Sequence, residues 1–103
     1  MVTVVLPGEF GKPRPALVVQ AELFNDKHAS ITVLPITSMV IDAAVFRVTV
    51  DPNPANGLRK VSQIMVDKLV SVRRERIGSE IGYAGDDCMV RVTRALAIWL
   101  GIA

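Results

Sequence analysis

The chain is poor in the side chains that most enzymes use. Its 103 residues hold one cysteine, Cys88, and one histidine, His28. A lone cysteine closes no disulfide within the chain and points to a reducing, cytoplasmic setting. Cys88 is expected as a small buried hydrophobe. One histidine, in the polar turn Asn25-Asp26-Lys27-His28, supplies neither a Ser-His-Asp nor a Cys-His apparatus. Without clustered His, Cys or carboxylate side chains, no metal site and no cofactor are expected. No apolar run approaches the ~20 residues of a membrane span. No charged-then-apolar leader opens the chain, so a soluble, cytoplasmic protein with no membrane partner is the expectation. Charge of one sign is scarce too: a net charge of +2 permits a nucleic-acid partner without arguing for one. What is present is apolar. Half the residues are hydrophobic, which supports one compact domain over 1–103 without disulfide or metal staples.

Valine, isoleucine and threonine dominate the first three quarters. Strands are expected at Val2 to Leu6, ended by Pro7-Gly8, at Ala16 to Glu22, apolar enough to be buried on both faces, and at Ser30 to Ile36. Val45 to Val50 sets Phe46, Val48 and Val50 against Arg47 and Thr49, the period of a half-buried strand. Asp51-Pro52-Asn53-Pro54 and Asn56-Gly57 mark turns, and Ser62 to Val66 and Lys68 to Val72 give one or two strands more. Ile77 to Tyr83 is read as a short helical turn. Asp86 and Asp87 then offer a cap to a helix carrying Met89, Val92, Leu96 and Trp99 at helical spacing, with Gly101 ending it. Trp99 is assigned to the core. Five to seven short strands and a closing helix make a mostly β fold, a small barrel or strongly curled sheet covered by the helix.

The chemistry begins at Lys12-Pro13-Arg14-Pro15-Ala16. Each proline fixes its own backbone torsion and pushes the preceding residue toward extended geometry, so Arg14 is held in extended chain at the mouth of a strand. A stiffly held guanidinium suits a phosphate; a proline-rich turn with a solvated arginine fits the same residues. Gly8-Glu9-Phe10-Gly11-Lys12 fails as a phosphate-binding P-loop. Its glycines are two residues too close, Pro13 replaces the Ser or Thr, and no helix follows, so it is read as a mobile loop. Pro35-Ile36-Thr37-Ser38 puts two hydroxyls at a strand end, able to cap a turn or donate to a phosphoryl oxygen. If the strands close into a barrel, Arg14, Thr37 and the Ser62 to Lys68 segment meet at one rim. Basic clusters lie at Lys12 with Arg14, at Arg59-Lys60 and at Arg73-Arg74 with Arg76.

These residues resemble the PemK/MazF family of toxins from bacterial toxin–antitoxin modules. The match runs through Gly11-Lys12-Pro13-Arg14-Pro15-Ala16-Leu17-Val18-Val19-Gln20, Pro35-Ile36-Thr37-Ser38, Asn56-Gly57-Leu58, Ser62-Gln63-Ile64-Met65-Val66-Asp67 and Arg94-Ala95-Leu96-Ala97-Ile98-Trp99-Leu100-Gly101, in order across nearly the whole chain. The resemblance implies an SH3-like, CcdB-like barrel that forms a homodimer. It implies a metal-independent endoribonuclease that cuts single-stranded RNA at short sequences by 2′-hydroxyl attack, leaving a 2′,3′-cyclic phosphate and a 5′-hydroxyl. By carry-over Arg14 and Thr37 are catalytic, with Asp67 at an acidic position used as a base or RNA contact. Lys12, Ser38, Ser62, Lys68 and Arg73 are expected to touch substrate. The implied protein partner is a cognate antitoxin with an acidic, disordered tail. Three departures stand out. Lys68 replaces a frequent Gln, Met65 stands where some members have Arg, and Met1-Val2-Thr3 replaces an Arg-Gly-Asp-type lead. Two alternatives stay open: a gyrase poison of the CcdB type, whose Trp-Gly-Ile end the closing Trp99-Leu100-Gly101-Ile102-Ala103 approaches with interruption, and an inactive antitoxin-binding relative.

Overall fold

The computed structural model describes residues 1–6, 11–25, 27–42 and 45–102. Its strands are β1 (Val2–Val5), β2 (Pro13–Val18), β3 (Ser30–Thr37), β4 (Arg47–Val50), β5 (Ser62–Met65), β6 (Val70–Arg73) and β7 (Ile77–Glu80). A four-residue helix α1 (Glu22–Asn25) follows β2, and the long helix α2 (Asp86–Leu100) comes last. The strands lie in the order β4-β5-β3-β2-β1-β7, all antiparallel, with β6 also on β3. The eight residues of β3 allow this branching: Ser30 to Val33 pair with β6, while Ile36 and Thr37 pair with β5. The result is a barrel-like sheet that does not close, between the two forms expected.

Strand alternation sorts the apolar residues into two cores. Leu34 and Ile36 of β3 join Leu17, Val48, Val50 and Ile64 beneath Cys88, Val92 and Ala95 of α2. Ile31 and Val33 point the other way, onto Val4, Ala16 and Val72. Val33 and Leu34 are wholly buried, so β3 is covered on both faces. Each such side chain contributes roughly 1.5–3 kcal/mol of apolar burial, which makes β3 the rigid axis from which the far end at Thr37 projects.

Several expectations need correction. Ile77 to Glu80 form a strand, not a helical turn: Val2 lies opposite Glu80 and Val4 opposite Ile77, so β1's open edge decides a segment whose local sequence is neutral. The strand expected from Ala16 to Glu22 runs from Pro13 to Val18, exposed at its start and buried at Ala16 and Leu17. The turn expected at Asn25 to His28 loses Asn25 to the end of α1, and Asp26 lies outside the described residues. Helix α2 is entered from Gly85 at φ 87°, not capped by an aspartate side chain; Asp86 and Asp87 occupy its first turn. There they favour the positive end of the helix dipole. At the other end Gly101 takes a left-handed φ of 71°, and Ile102 N–H reaches Ala97 O at 2.9 Å, as expected for a glycine stop. Trp99 is 49% exposed and packs on Phe46 with the rings tilted by 54° and their centroids 6.0 Å apart, so it is not core. Cys88 is buried as expected, and His28 is in an exposed turn where its Nδ1 contacts Ser30. The loop expected at Gly8 to Lys12 falls mostly on residues outside those described.

Candidate functional site

Register brings the site together. Side chains directly opposite one another in a ladder share a face of the sheet. Ala16 lies opposite Pro35, so Arg14, two residues from Ala16, emerges on the face that also carries Pro35 and Thr37. Pro13 and Pro15 offer no N–H and hold φ, which fixes the extended backbone on either side of Arg14. A cleft of about 660 Å³ opens there. Arg14, Thr37, Ser38 and Met39 line one part of it, and Arg59 and Lys60 another. Its described lining holds these three cations and no carboxylate. Such a site attracts an anion and offers it both charge and hydrogen-bond donors.

Thr37 is prepared as a donor. Its Oγ1 accepts the backbone N–H of Met39 at 3.1 Å, which leaves the hydroxyl proton for a group in the cleft. A hydroxyl that already accepts is polarised as a donor. The Lys60 end is shaped by Asn56, which is wholly buried. Asn56 Nδ2 donates to Asp51 O at 2.9 Å, while its Oδ1 accepts from Asn53 N and Leu58 N at 3.2 and 3.0 Å. Gly57 follows at φ 72°, and a Cβ there would run into the carbonyl of Ile81. This tight crossing aims Leu58, Arg59 and Lys60 at the cleft.

The other expected residues are placed as follows. Ser62 borders the cleft but is only 5% exposed, and its hydroxyl already donates to Lys60 O at 2.9 Å. Lys12 is exposed ahead of β2 and does not line the cleft. Asp67 and Lys68 sit on a single 3-10 turn after Met65, which packs against α2, and neither lines the cleft. Asp67 Oδ2 lies 4.0 Å from Lys68 Nζ, and its Oδ1 is buried with no hydrogen-bond partner among the described residues. Arg73 pairs with Ser30, seven residues along β3 from Thr37. At ~3.3 Å per residue that is roughly 23 Å, so within one protomer the two cannot share a phosphate. Its neighbour Arg74 is engaged locally, with Nε and a terminal nitrogen on His28 O at 3.0 and 2.6 Å. The single rim expected for Arg14, Thr37 and Ser62 to Lys68 therefore forms for the first part of that set and fails beyond Met65.

The chain matches the model of the PemK-like, MazF-like toxins of type II toxin–antitoxin systems over residues 2–100. It belongs to that family. It is 44% identical over 93 residues to the probable endoribonuclease MazF of Mycolicibacterium smegmatis, covering 90% of this chain and 84% of that one. Its fold is that of the Mycobacterium tuberculosis toxin MazF-mt6, with a TM-score of 0.83 at 24% identity over 100% of this chain and 99% of the other. A MazE–MazF structure from Deinococcus radiodurans gives 0.78 at 26% identity over 99% and 91%. In this MazF-like chain Arg59 and Lys60 also line the cleft, two cations to which the sequence assigns no substrate contact. Their signal was present, a basic pair two residues past an Asn-Gly turn, but nothing in the sequence said which way that turn faces. Among the described residues, no helix is long and apolar enough to cross a membrane.

Proposed function

We propose that this chain is the toxin of a type II module and an endoribonuclease that cleaves single-stranded RNA. The observation that carries the reading is the meeting of Arg14 and the Thr37 hydroxyl in one cationic cleft, in a chain of the MazF family. The 2′-hydroxyl of the RNA gives up its proton to solvent as its oxygen attacks the adjacent phosphorus, the bond from phosphorus to the 5′-oxygen breaks, and that oxygen takes up a proton from solvent. The products are a 2′,3′-cyclic phosphate and a 5′-hydroxyl. The nucleophile belongs to the substrate, which accounts for a site without a serine or cysteine nucleophile. Arg14 neutralises the phosphate and stabilises the charge that builds on its oxygens, and Thr37 donates to one of them. Ser38 and the Arg59-Lys60 pair hold the flanking backbone. Asp67 is not on the cleft, so a base role for it draws no support from its position.

Under the same reading the protein works in the cytoplasm as a homodimer, without a metal cofactor. Its cleft is covered by the acidic, disordered tail of a cognate antitoxin. The gyrase-poison alternative is not favoured: Trp99 is engaged with Phe46, and Gly101 is spent on closing α2. The test is cleavage of a long single-stranded RNA in EDTA, wild type beside Arg14→Ala, with fragment ends mapped. Discrete cuts with 5′-hydroxyl ends, lost in the variant, are expected. Intact RNA after incubation with folded wild-type protein would end this reading.

A further inference from the structure

The cleft's hydroxyl sits on the last residue of β3, and the turn that follows it is held from beneath by one buried amide. Gln63 lies on β5 directly between Thr37 of β3 and Thr49 of β4, opposite each in its ladder. It is 3% exposed. All four of its hydrogen-bonding positions are used. Nε2 donates to Ile41 O at 2.8 Å and to Thr49 Oγ1 at 3.2 Å, while Oε1 accepts from Ile41 N at 3.1 Å and from an Arg47 guanidinium nitrogen at 3.3 Å. Turning the amide over would set its NH₂ against two N–H donors, so the orientation is fixed by its partners. The same Arg47 nitrogen also donates to Met39 O at 3.2 Å. The turn after Thr37 is thus tied at Met39 by Arg47 and at Ile41 by Gln63. Met39 in turn supplies the N–H that Thr37 Oγ1 accepts.

A glutamine buried as deeply as this one is costly unless every bond is made. An apolar side chain would fill the same space without that demand. Nothing in the cores requires Gln63; its side-chain hydrogen bonds all lead to β4 and to the turn that follows Thr37. We propose that Gln63, assisted by Arg47, is the positioning residue of this cleft. It fixes the backbone of Met39 to Ile41, and through the Met39 N–H it fixes the direction in which Thr37 donates. The inference rests on the ribonuclease reading, because it takes the anion at Thr37 to be the scissile phosphate.

The experiment is a double-mutant cycle on cleavage of a short single-stranded RNA under single-turnover conditions, using wild type, Gln63→Leu, Thr37→Val and the pair. Amide hydrogen exchange at Met39 and Ile41 is read in parallel. A misplacement of about 1 Å can cost on the order of 100-fold, so Gln63→Leu is expected to lose about 10- to 100-fold in rate with KM changed less than about threefold. Exchange at both amides should speed up. In the Thr37→Val background the further loss should shrink to within about threefold, because the residue acts through Thr37. If Gln63→Leu does not fold, Arg47→Met takes its place; it removes only the guanidinium ties and leaves the glutamine's three other bonds. Additive losses, or a wild-type rate in a variant whose Met39 amide exchanges fast, would overturn the proposal. Wild-type protein that leaves RNA intact would defeat the ribonuclease reading itself, while cleavage indifferent to Thr37→Val would remove the step this inference depends on.

Discussion

Arg14 and Thr37 call for different substitutions, because they offer a phosphate different things. Arg14 offers a planar fork of donors, which lysine's point charge does not reproduce. Arg14→Lys should therefore lose most of what Arg14→Ala loses, and removal of one well-placed donor typically costs roughly 100- to 1000-fold. Thr37→Val keeps the shape and removes both the donor and the acceptor of the Met39 N–H, whereas Thr37→Ser keeps both. The valine variant should fall by a similar factor and the serine variant by less than about tenfold, judged on the same oligonucleotide. Asp67→Asn should cut at close to the wild-type rate, since Asp67 stands outside the cleft. A hundredfold loss there would return Asp67 to the site. Cys88 makes a prediction about pH instead. Burial pushes its thiol above the ordinary value, with Arg91 partly offsetting the shift. The folded state then holds this proton more tightly than the unfolded chain does. The resulting stability is complete below about pH 8.5 and is lost as pH rises through the folded value. Denaturant midpoints should fall over that alkaline range, and Cys88→Ala should flatten the fall; an unchanged slope in the variant would clear Cys88 of the effect.

Elements with a strong internal pattern were legible, and elements defined by their neighbours were not. Helix α2 could be read from Val92, Leu96 and the Gly101 stop because its stripe and its terminus are local properties. Val48 and Val50 declared β4 by alternation. β7 had no such pattern: Ile77-Gly78-Ser79-Glu80 becomes a strand because β1 needs a partner, and Gly78 admits the side chain of Thr3 where a Cβ would collide with its hydroxyl. The site divides the same way. Pro13-Arg14-Pro15 and Thr37-Ser38 announce themselves through backbone stiffness and hydroxyl chemistry. Arg59, Lys60 and the Gln63 tie depend on a turn direction and a register that no short window encodes. That turn direction hangs on Asn56. Replacing it by alanine strands Leu58 N, Asn53 N and Asp51 O together. The expected cost is about 2–4 kcal/mol, a fall of at least about 8 °C in melting temperature. Cleavage measured well below that temperature should also weaken in KM, because Arg59 and Lys60 lose their aim. A melting temperature within about 2 °C of wild type would mean that the crossing holds without its buried amide.

At the scale of the molecule a net charge of only +2 has to serve an RNA substrate, so placement matters more than total. Three of the twelve basic residues line the cleft with no carboxylate among its described lining, while Arg73 and Arg74 stand at the far end of β3. The polyanion should therefore feel a local field much stronger than the net charge implies. Each phosphate neutralised on a single strand contributes about −0.7 to the slope of log affinity against log salt, so three cleft cations predict a slope near −2. Binding of a short RNA with a 2′-deoxy sugar at the scissile position, which cannot react, measures this without turnover. Arg59→Gln with Lys60→Gln should bring the slope to roughly −0.7, leaving Arg14 as the remaining contact. Arg73→Gln should leave it unchanged if each cleft works within its own protomer. The homodimer of the proposed function supplies the competing outcome. Sedimentation near twice 11.2 kDa is expected, and a second copy could carry its own Arg73 toward the neighbouring cleft. A slope that falls by one phosphate in Arg73→Gln, and only in the dimer, would show that the basic residues are shared across the pair and that the RNA path runs from one protomer to the next.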